Sequence, residues 1–276
     1  MTVQKLASFT RDGQGGNPAG VMITDRLPDG ADMQRIAVEV GYSETAFAAP
    51  EGPGWRVRYF APEGEVPFCG HATIALGAAL GQAHGAAVYP LHLNDTEISV
   101  EAYEEDDIWG ARLVSPTTRH SVADESLLQE AMALFGLRQE DLDPAIPVAK
   151  VHGGADHLAV ALARDESVTS MAYDFDTGAA FMQRHGFVTV TLFHRAAPDL
   201  IHARNAFAGH GVYEDPATGA AAAALAGYLR DTDVQSGSFR VLQGQEMGRP
   251  SELWVTPREG RGQPIEISGL TQAITD

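Results

Sequence analysis

A chain of 276 residues, 44% of them hydrophobic, can bury a full core and is long enough for one large domain or two ordinary ones. Its formal net charge of −18 repels nucleic-acid phosphates, and its single cysteine, Cys69, excludes an internal disulfide and any mechanism that needs two thiols in one chain. No apolar run reaches the roughly 18 residues of a membrane-spanning helix, the first residues lack the apolar core of a signal peptide, and Cys and His are too sparse for a structural zinc site; a cytoplasmic protein without a metal centre is expected.

Taken in order, Val3 to Thr10 reads as a first strand. Gly13 to Pro18 is a turn whose glycines match neither a Walker loop nor a dinucleotide fingerprint, because the apolar run Ala19 to Ile23 leads into another strand. From Leu27 to Val40 the apolar spacing of Met33, Ile36, Ala37 and Val40 predicts an amphipathic helix, capped by Asp29 or Asp32 and stopped by Gly41. Tyr42 to Ala49 is a strand with Glu44 at its start. That carboxylate is either an edge glutamate in water or an acid/base group at the mouth of a cleft. Trp55 to Phe60, Val88 to Leu93, Thr96 to Tyr103 and Ile108 to Val114 are further strands, with Glu104 to Asp107 as a solvated hairpin tip.

Ser115 to Arg119 reads as a linker between an N-terminal lobe, 1–117, and a C-terminal lobe, 118–276, whose last strand is free to return to the first. The second lobe opens with a helix from Asp124 to Phe135. Strands follow at His157 to Leu162, Phe187 to Phe193, Ile201 to Phe207, Phe239 to Gln243, Glu252 to Val255 and Ile265 to Ile267, with a loop and helix over Ser167 to Gly186.

The stretch that organises the chain is Pro67-Phe-Cys-Gly-His-Ala-Thr-Ile-Ala-Leu-Gly-Ala-Ala-Leu80. A Gly-His pair opens a run of small and apolar residues with no charge, the pattern of a helix buried on all sides. Glu214-Asp-Pro-Ala-Thr-Gly219, continuing as an alanine run to Leu229, repeats the design. An arginine (Arg58, Arg204) and a carboxylate (Glu65, Glu214) precede each helix. A repeat of this kind is what a duplicated domain would leave, and it predicts two similar lobes, each wrapped around its own central helix; coincidence between two Ala-rich segments is the plainer alternative. If the lobes face each other, both helix starts point into one cleft, where unpaired N–H groups and the positive ends of the helix dipoles suit a small carboxylate or oxyanion. Gly70 and Gly219 admit a ligand close to the backbone, His71 and Asp215 are placed to hold or move protons, and Pro216 suits a first helical turn. Each has a plainer alternative: Asp215 as a helix cap, His71 as a satisfied buried histidine, Cys69 as a small packed hydrophobe.

At Gly16-Asn-Pro-Ala-Gly-Val21, Ser43-Glu-Thr45, Pro67 to Thr73 and Glu214 to Gly219 the chain resembles the PhzF-like phenazine biosynthesis family, motif by motif and in order. The resemblance implies a diaminopimelate-epimerase-like α/β (α+β) fold of two similar lobes, each with its sheet wrapped around a central apolar helix, a homodimer, and a cofactor-free isomerase acting on a small carboxylic acid. Its catalytic glutamate falls on Glu44, its histidine on His71 and its aspartate on Asp215; Ser43, Gly70, Thr218, Gly219 and Ala220 fall at substrate-binding positions. One departure is chemical: Ala220 stands where the family usually has a serine, so a hydroxyl for substrate binding or proton relay is missing. Two rival readings stand beside the isomerase. One is a racemase or epimerase of an amino or hydroxy acid that uses Glu44 and Cys69, and the other is a small-ligand-binding or interaction protein that has lost the chemistry.

Overall fold

The computed structural model describes residues 2–275. The elements run β1 (Gln4–Ser8), β2 (Asn17–Ile23), α1 (Gly30–Val40), β3 (Thr45–Glu51), β4 (Gly54–Ala61), β5 (Gly64–Val66), α2 (Gly70–His84), β6 (Ala87–His92), β7 (Glu97–Glu105) and β8 (Ile108–Val114). They continue as β9 (Arg119–Val122), α3 (Glu125–Phe135), β10 (Ala149–His152), β11 (Asp156–Ala161), α4 (Asp165–Thr169), α5 (Phe175–His185), β12 (Thr189–Ala197), β13 (Leu200–Ala206), β14 (Glu214–Asp215), α6 (Gly219–Asp231), β15 (Phe239–Gln243), β16 (Ser251–Pro257) and β17 (Ile265–Ala273). The described residues fall into two compact units, one within Met1–Val114 plus Ser268–Asp276 and the other within Ser115–Ile267.

In the first unit the strand pairings close on themselves: β1 with β2, β2 with β3, β3 with β4, β4 with β6, β6 with β7, β7 with β8, β8 with β17, and β17 back to β1. Closure leaves no unpaired edge in this ring. α2 packs against β1, β2, β3, β6, β7 and β8 and is buried continuously from His71 to Gly81. Its small residues make this possible. A Cβ on Gly77 would stand 2.6 Å from a Val100 methyl, and one on Gly81 would stand 2.5 Å from the Trp109 ring, so the strands approach the helix backbone more closely than any larger residue allows. Outside the ring, α1 lays Met33 and Ala37 on Met22, Phe47 and Phe60. Asp29 caps α1 by accepting from the Asp32 N–H at 2.8 Å, and Gly41 (φ 70°) ends it. The turn between β7 and β8 has both central residues, Asp106 and Asp107, at positive φ, as a tight hairpin requires.

In the second unit the pairings run β9–β10–β11–β12–β13–β15–β16, with the short β14 on β13. α6 packs against β9, β10, β11 and β16 and is buried from Ala221 to Asp231. β11 is buried on both faces: Leu158 and Val160 join Leu127, Met132, Phe135, Phe181 and Met182 of α3 and α5 in one core. A strand covered on both sides reads as a continuous apolar run rather than an alternation.

Three features differ from expectation. β9 starts at Arg119, the end of the expected linker, and pairs with β10, which carries no strong apolar pattern in its Ala-Lys-Val-His sequence. β17 continues well past Ile267, to Ala273, through the polar-alternating Ser-Gly-Leu-Thr-Gln, because those residues close the first unit's ring against β1 and β8. Pro216 lies in the turn before α6 rather than in its first turn, since the helix begins at Gly219 with Thr218 as its N-cap.

The Arg–Glu repeat is physical. Arg58 on β4 donates from Nε and Nη2 to the two carboxylate oxygens of Glu65 on β5 at 2.7 and 2.6 Å, and Arg204 on β13 does the same to Glu214 on β14 at 3.0 and 2.5 Å. Each pair staples the short antiparallel hairpin that feeds a buried helix. The first is about a quarter exposed (26% and 27%), while the second is nearly dry (9% and 3%) and Arg204 also donates to the Thr169 and Met171 carbonyls. Removing one partner of a dry pair leaves a buried charge, at about 3–5 kcal/mol, whereas a solvated pair is worth about 0–1 kcal/mol. Glu214→Gln is therefore expected to lower unfolding stability in urea several-fold more than Glu65→Gln; equal losses would refute the assignment.

His157 on β11 is fully buried, with Nδ1 2.8 Å from Thr189 Oγ1 and Nε2 without a hydrogen-bond partner. Burial pushes its pKa down to about 3 from 6.5. The folded protein thus keeps this ring neutral while the unfolded chain protonates it, so its contribution to stability is intact above pH 6.5 and is lost as pH falls below that value. Between pH 7 and 5 the loss is about 2 kcal/mol. His157→Leu is expected to flatten the stability–pH curve by that amount over this window, read by urea denaturation at each pH. Parallel curves for the two proteins would contradict it.

Candidate functional site

The site in the first unit is built at the start of α2. Cys69 is the N-cap, in extended conformation, and its side chain makes no capping hydrogen bond to the helix. The first-turn N–H groups are therefore left without a side-chain acceptor from the cap. The helix start is anchored instead through carbonyls: Ser8 Oγ donates to the His71 carbonyl at 2.7 Å, and Thr73 Oγ1 donates to the Cys69 carbonyl at 2.7 Å. The buried Tyr59 hydroxyl meets Thr73 Oγ1 at 2.7 Å. A Cβ added to Gly70 would meet only the Phe68 ring, at 3.9 Å, so open space adjoins the helix start.

Into that space project the residues flanking the other side, from the segment between α1 and β3. Glu44 immediately precedes β3, and the N–H of Gly20 on β2 donates to its carbonyl at 3.1 Å. Its Oε2 lies 3.3 Å from His71 Nε2, yet makes no aligned hydrogen bond there or elsewhere and is shielded from solvent. Ser43 Oγ stands 3.3 Å from the same ring nitrogen, and Cys69 Sγ is 3.4 Å from His71 Nδ1. His71, 9% exposed, thus touches a hydroxyl, a carboxylate and a thiol. The Glu44, Cys69 and His71 donor atoms all lie within 4.8 Å of one another. A carboxylate oxygen without a partner is an acceptor in want of a proton or a donor. A histidine beside it is suited to hold a substrate or to pass a proton on.

In the second unit the turn before α6 is tied by its own contacts. Thr218 Oγ1 donates to the Asp215 carboxylate in a short hydrogen bond. Gln243, at the end of β15 and 1% exposed, donates from Nε2 to the Asp215 carbonyl at 2.8 Å and accepts from the Thr218 N–H at 3.4 Å. As at α2, the N-cap side chain of α6 makes no capping bond. Gly219 and Ala220 are the first two helical residues, the positions that Gly70 and His71 hold in α2.

Of the site residues expected from the sequence, Ser43, Glu44, Cys69, Gly70 and His71 gather in the first unit, and Asp215, Thr218, Gly219 and Ala220 in the second. The supporting residues Ser8, Tyr59, Thr73 and Gln243 were not anticipated as part of either group; each is polar, sits in an apolar element and is buried, which is a signal only once burial is known.

Comparison with known proteins finds relatives over nearly the whole chain. An uncharacterized isomerase of Mesorhizobium japonicum is 29% identical over 97% of this chain and 95% of its own. The trans-2,3-dihydro-3-hydroxyanthranilate isomerase of Pseudomonas fluorescens is 31% identical over 92% of this chain and 90% of its own. Among solved structures, the Bacillus anthracis phenazine biosynthesis protein of the PhzF family superposes with a TM-score of 0.85 at 23% identity, covering 99% of this chain and 96% of that one, so the α/β architecture is that of the PhzF proteins. The family described as phenazine biosynthesis-like protein matches residues 6–275, and the chain belongs to it.

Proposed function

We propose that the protein is a cofactor-independent isomerase that moves a proton on a small carboxylic acid, with Glu44 as the acid/base group. The observation that carries this reading is the buried, unpartnered Glu44 Oε2 beside His71 at the uncapped start of α2. Family membership supports the class of reaction.

In the proposed mechanism the substrate's anionic oxygens accept from first-turn N–H groups near Gly70, where the helix dipole favours negative charge. Glu44 takes a proton from an activated carbon. The electron pair moves into the adjoining conjugated system, and Glu44 returns the proton at another carbon, so the composition is unchanged. His71 orients the substrate and, with Ser43, steadies the carboxyl group between the two steps. Asp215, Thr218 and Gly219 are assigned to substrate orientation, as the matching motif implies, and Ala220 contributes no hydroxyl. The similar Arg–Glu staples and uncapped helix starts support reading the units as two versions of one lobe, each organised by its buried helix. A homodimer goes with this reading. The hydroxyanthranilate compound named for the Pseudomonas fluorescens relative heads the substrates to test.

A second reading is favoured by one contact. Cys69 Sγ, 3.4 Å from His71 Nδ1, and Glu44 Oε2, 3.3 Å from Nε2, lie within 4.8 Å of one another, so a thiol and a carboxylate are both at hand as the two bases of a racemase or epimerase.

The test is deuterium uptake from heavy water, followed by mass spectrometry, over that dihydro-hydroxyanthranilate and a panel of small amino and hydroxy acids, with chelator present. Uptake into one compound is expected, and Glu44→Gln should slow it at least ~100-fold while binding is kept within a few-fold. A label on a second carbon marks the isomerase, and a label confined to one stereocentre marks the epimerase. Glu44→Gln with undiminished uptake would remove Glu44 from the base role.

A further inference from the structure

We propose that Glu44, Cys69 and His71 form a binding site for Zn2+, and that the ion, once bound, shuts the reacting site. The shut-down rests on the reading of Glu44 as the base, whereas the binding stands on the donor set alone.

The donors are those zinc selects: a thiol sulfur, an imidazole nitrogen and a carboxylate oxygen. Three protein ligands leave a fourth position open to water or to a substrate carboxylate. Zinc bonds of about 2.0–2.1 Å to N and O and about 2.3 Å to S, at tetrahedral angles, require donor–donor separations of about 3.3–3.6 Å. His71 Nε2 and Glu44 Oε2 already stand at 3.3 Å, and Cys69 Sγ and His71 Nε2 at 3.9 Å. Sγ now lies nearer Nδ1, at 3.4 Å, so a turn of the Cys69 side chain or of the imidazole brings the thiol in front of Nε2, and all three donors already lie within 4.8 Å of one another. Glu44 Oε2 is shielded and lacks a hydrogen-bond partner, so ligation would satisfy an acceptor that the protein leaves wanting.

Two charges work against each other here. The positive end of α2 disfavours a cation, but it is equivalent to about half an elementary charge. A thiolate and a carboxylate in direct contact supply two full negative charges, and the chain's net charge of −18 raises the local concentration of cations. The ligands therefore prevail. As the S–Zn bond forms, the Cys69 S–H proton passes to solvent and no electron is transferred, so binding tightens as pH rises. With its carboxylate held by the ion, Glu44 has no lone pair free for the substrate proton.

The test uses the intact chain without substrate. Co2+ is titrated in, the thiolate-to-metal charge-transfer absorption is recorded, and Zn2+ is then used to displace it. Cys69 is the only cysteine, so a thiolate band can arise nowhere else. Saturation at one ion per chain is expected; Cys69→Ser should abolish the band and weaken Zn2+ binding at least tenfold, and Glu44→Gln should weaken it at least tenfold while the thiolate band persists at saturation. Circular dichroism checks that both variants fold. Absence of the band, or Zn2+ affinity unchanged in both variants, overturns the proposal. The activity reading is separated by the chelator-treated deuterium assay: a band without any uptake leaves the cation site standing and removes the isomerase, and uptake without a band does the reverse. Where both are seen, Zn2+ is expected to suppress uptake at least tenfold and chelator to restore it; uptake that is indifferent to saturating Zn2+ overturns the shut-down.

Discussion

A helix with no exposed face sets the terms for the rest of the first unit. α2 is buried on all sides over most of its length, so strands must close around it and its residues must be small enough to let them approach. Gly77 and Gly81 meet that demand at the two tightest contacts, with Val100 and Trp109. The start of this helix adjoins open space at Gly70, and its first-turn N–H groups need acceptors. Here the cap residue is Cys69, which provides none from its side chain. An anionic ligand is the natural partner for that end.

The same constraint places the candidate site's side chains. Glu44 and Ser43 come from the segment that joins α1 to β3, and Cys69 and His71 come from the mouth of α2. Carbonyl anchors from Ser8 and Thr73 hold the helix start, with Tyr59 behind Thr73. The helix start is thus backed by main-chain contacts, and the Ser43, Glu44 and Cys69 side chains meet around His71. The histidine at the centre of the group touches acid, hydroxyl and thiol together, and both the proposed proton transfer and the proposed cation capture rest on that contact.

Energetically, the two units repeat one device at different depths. A bidentate arginine–glutamate pair staples each hairpin before its helix, about a quarter exposed at Arg58 and Glu65 and nearly dry at Arg204 and Glu214. Burial, not the identity of the residues, sets how much stability each pair governs. His157 follows the same rule: a side chain that titrates freely in water is held neutral because its surroundings exclude the charge.

Local chemistry was legible in the chain itself. The charge-free small-residue runs after Gly70 and Gly219, the Asp29 cap and Gly41 stop, and the Arg–Glu pairs are visible in composition and spacing, because helix caps, burial patterns and turn residues act over a few positions, whereas Glu44, His71 and Asp215 stand out only through the resemblance to the family's motifs. Tertiary structure alone decided what depends on distant partners. The polar end of β17 becomes a strand only because β1 and β8 lie on either side of it. β9 and β10 pair with each other although neither carries a strong apolar pattern. Glu44, Cys69 and His71 become one cluster, and Gln243 becomes the clamp on the Asp215 turn, through contacts between segments far apart in the chain. Hydrogen bonds and ligand geometry are set by distances of a few ångströms, and the closing of the ring around α2, rather than sequence spacing, brings the first unit's donors within that range.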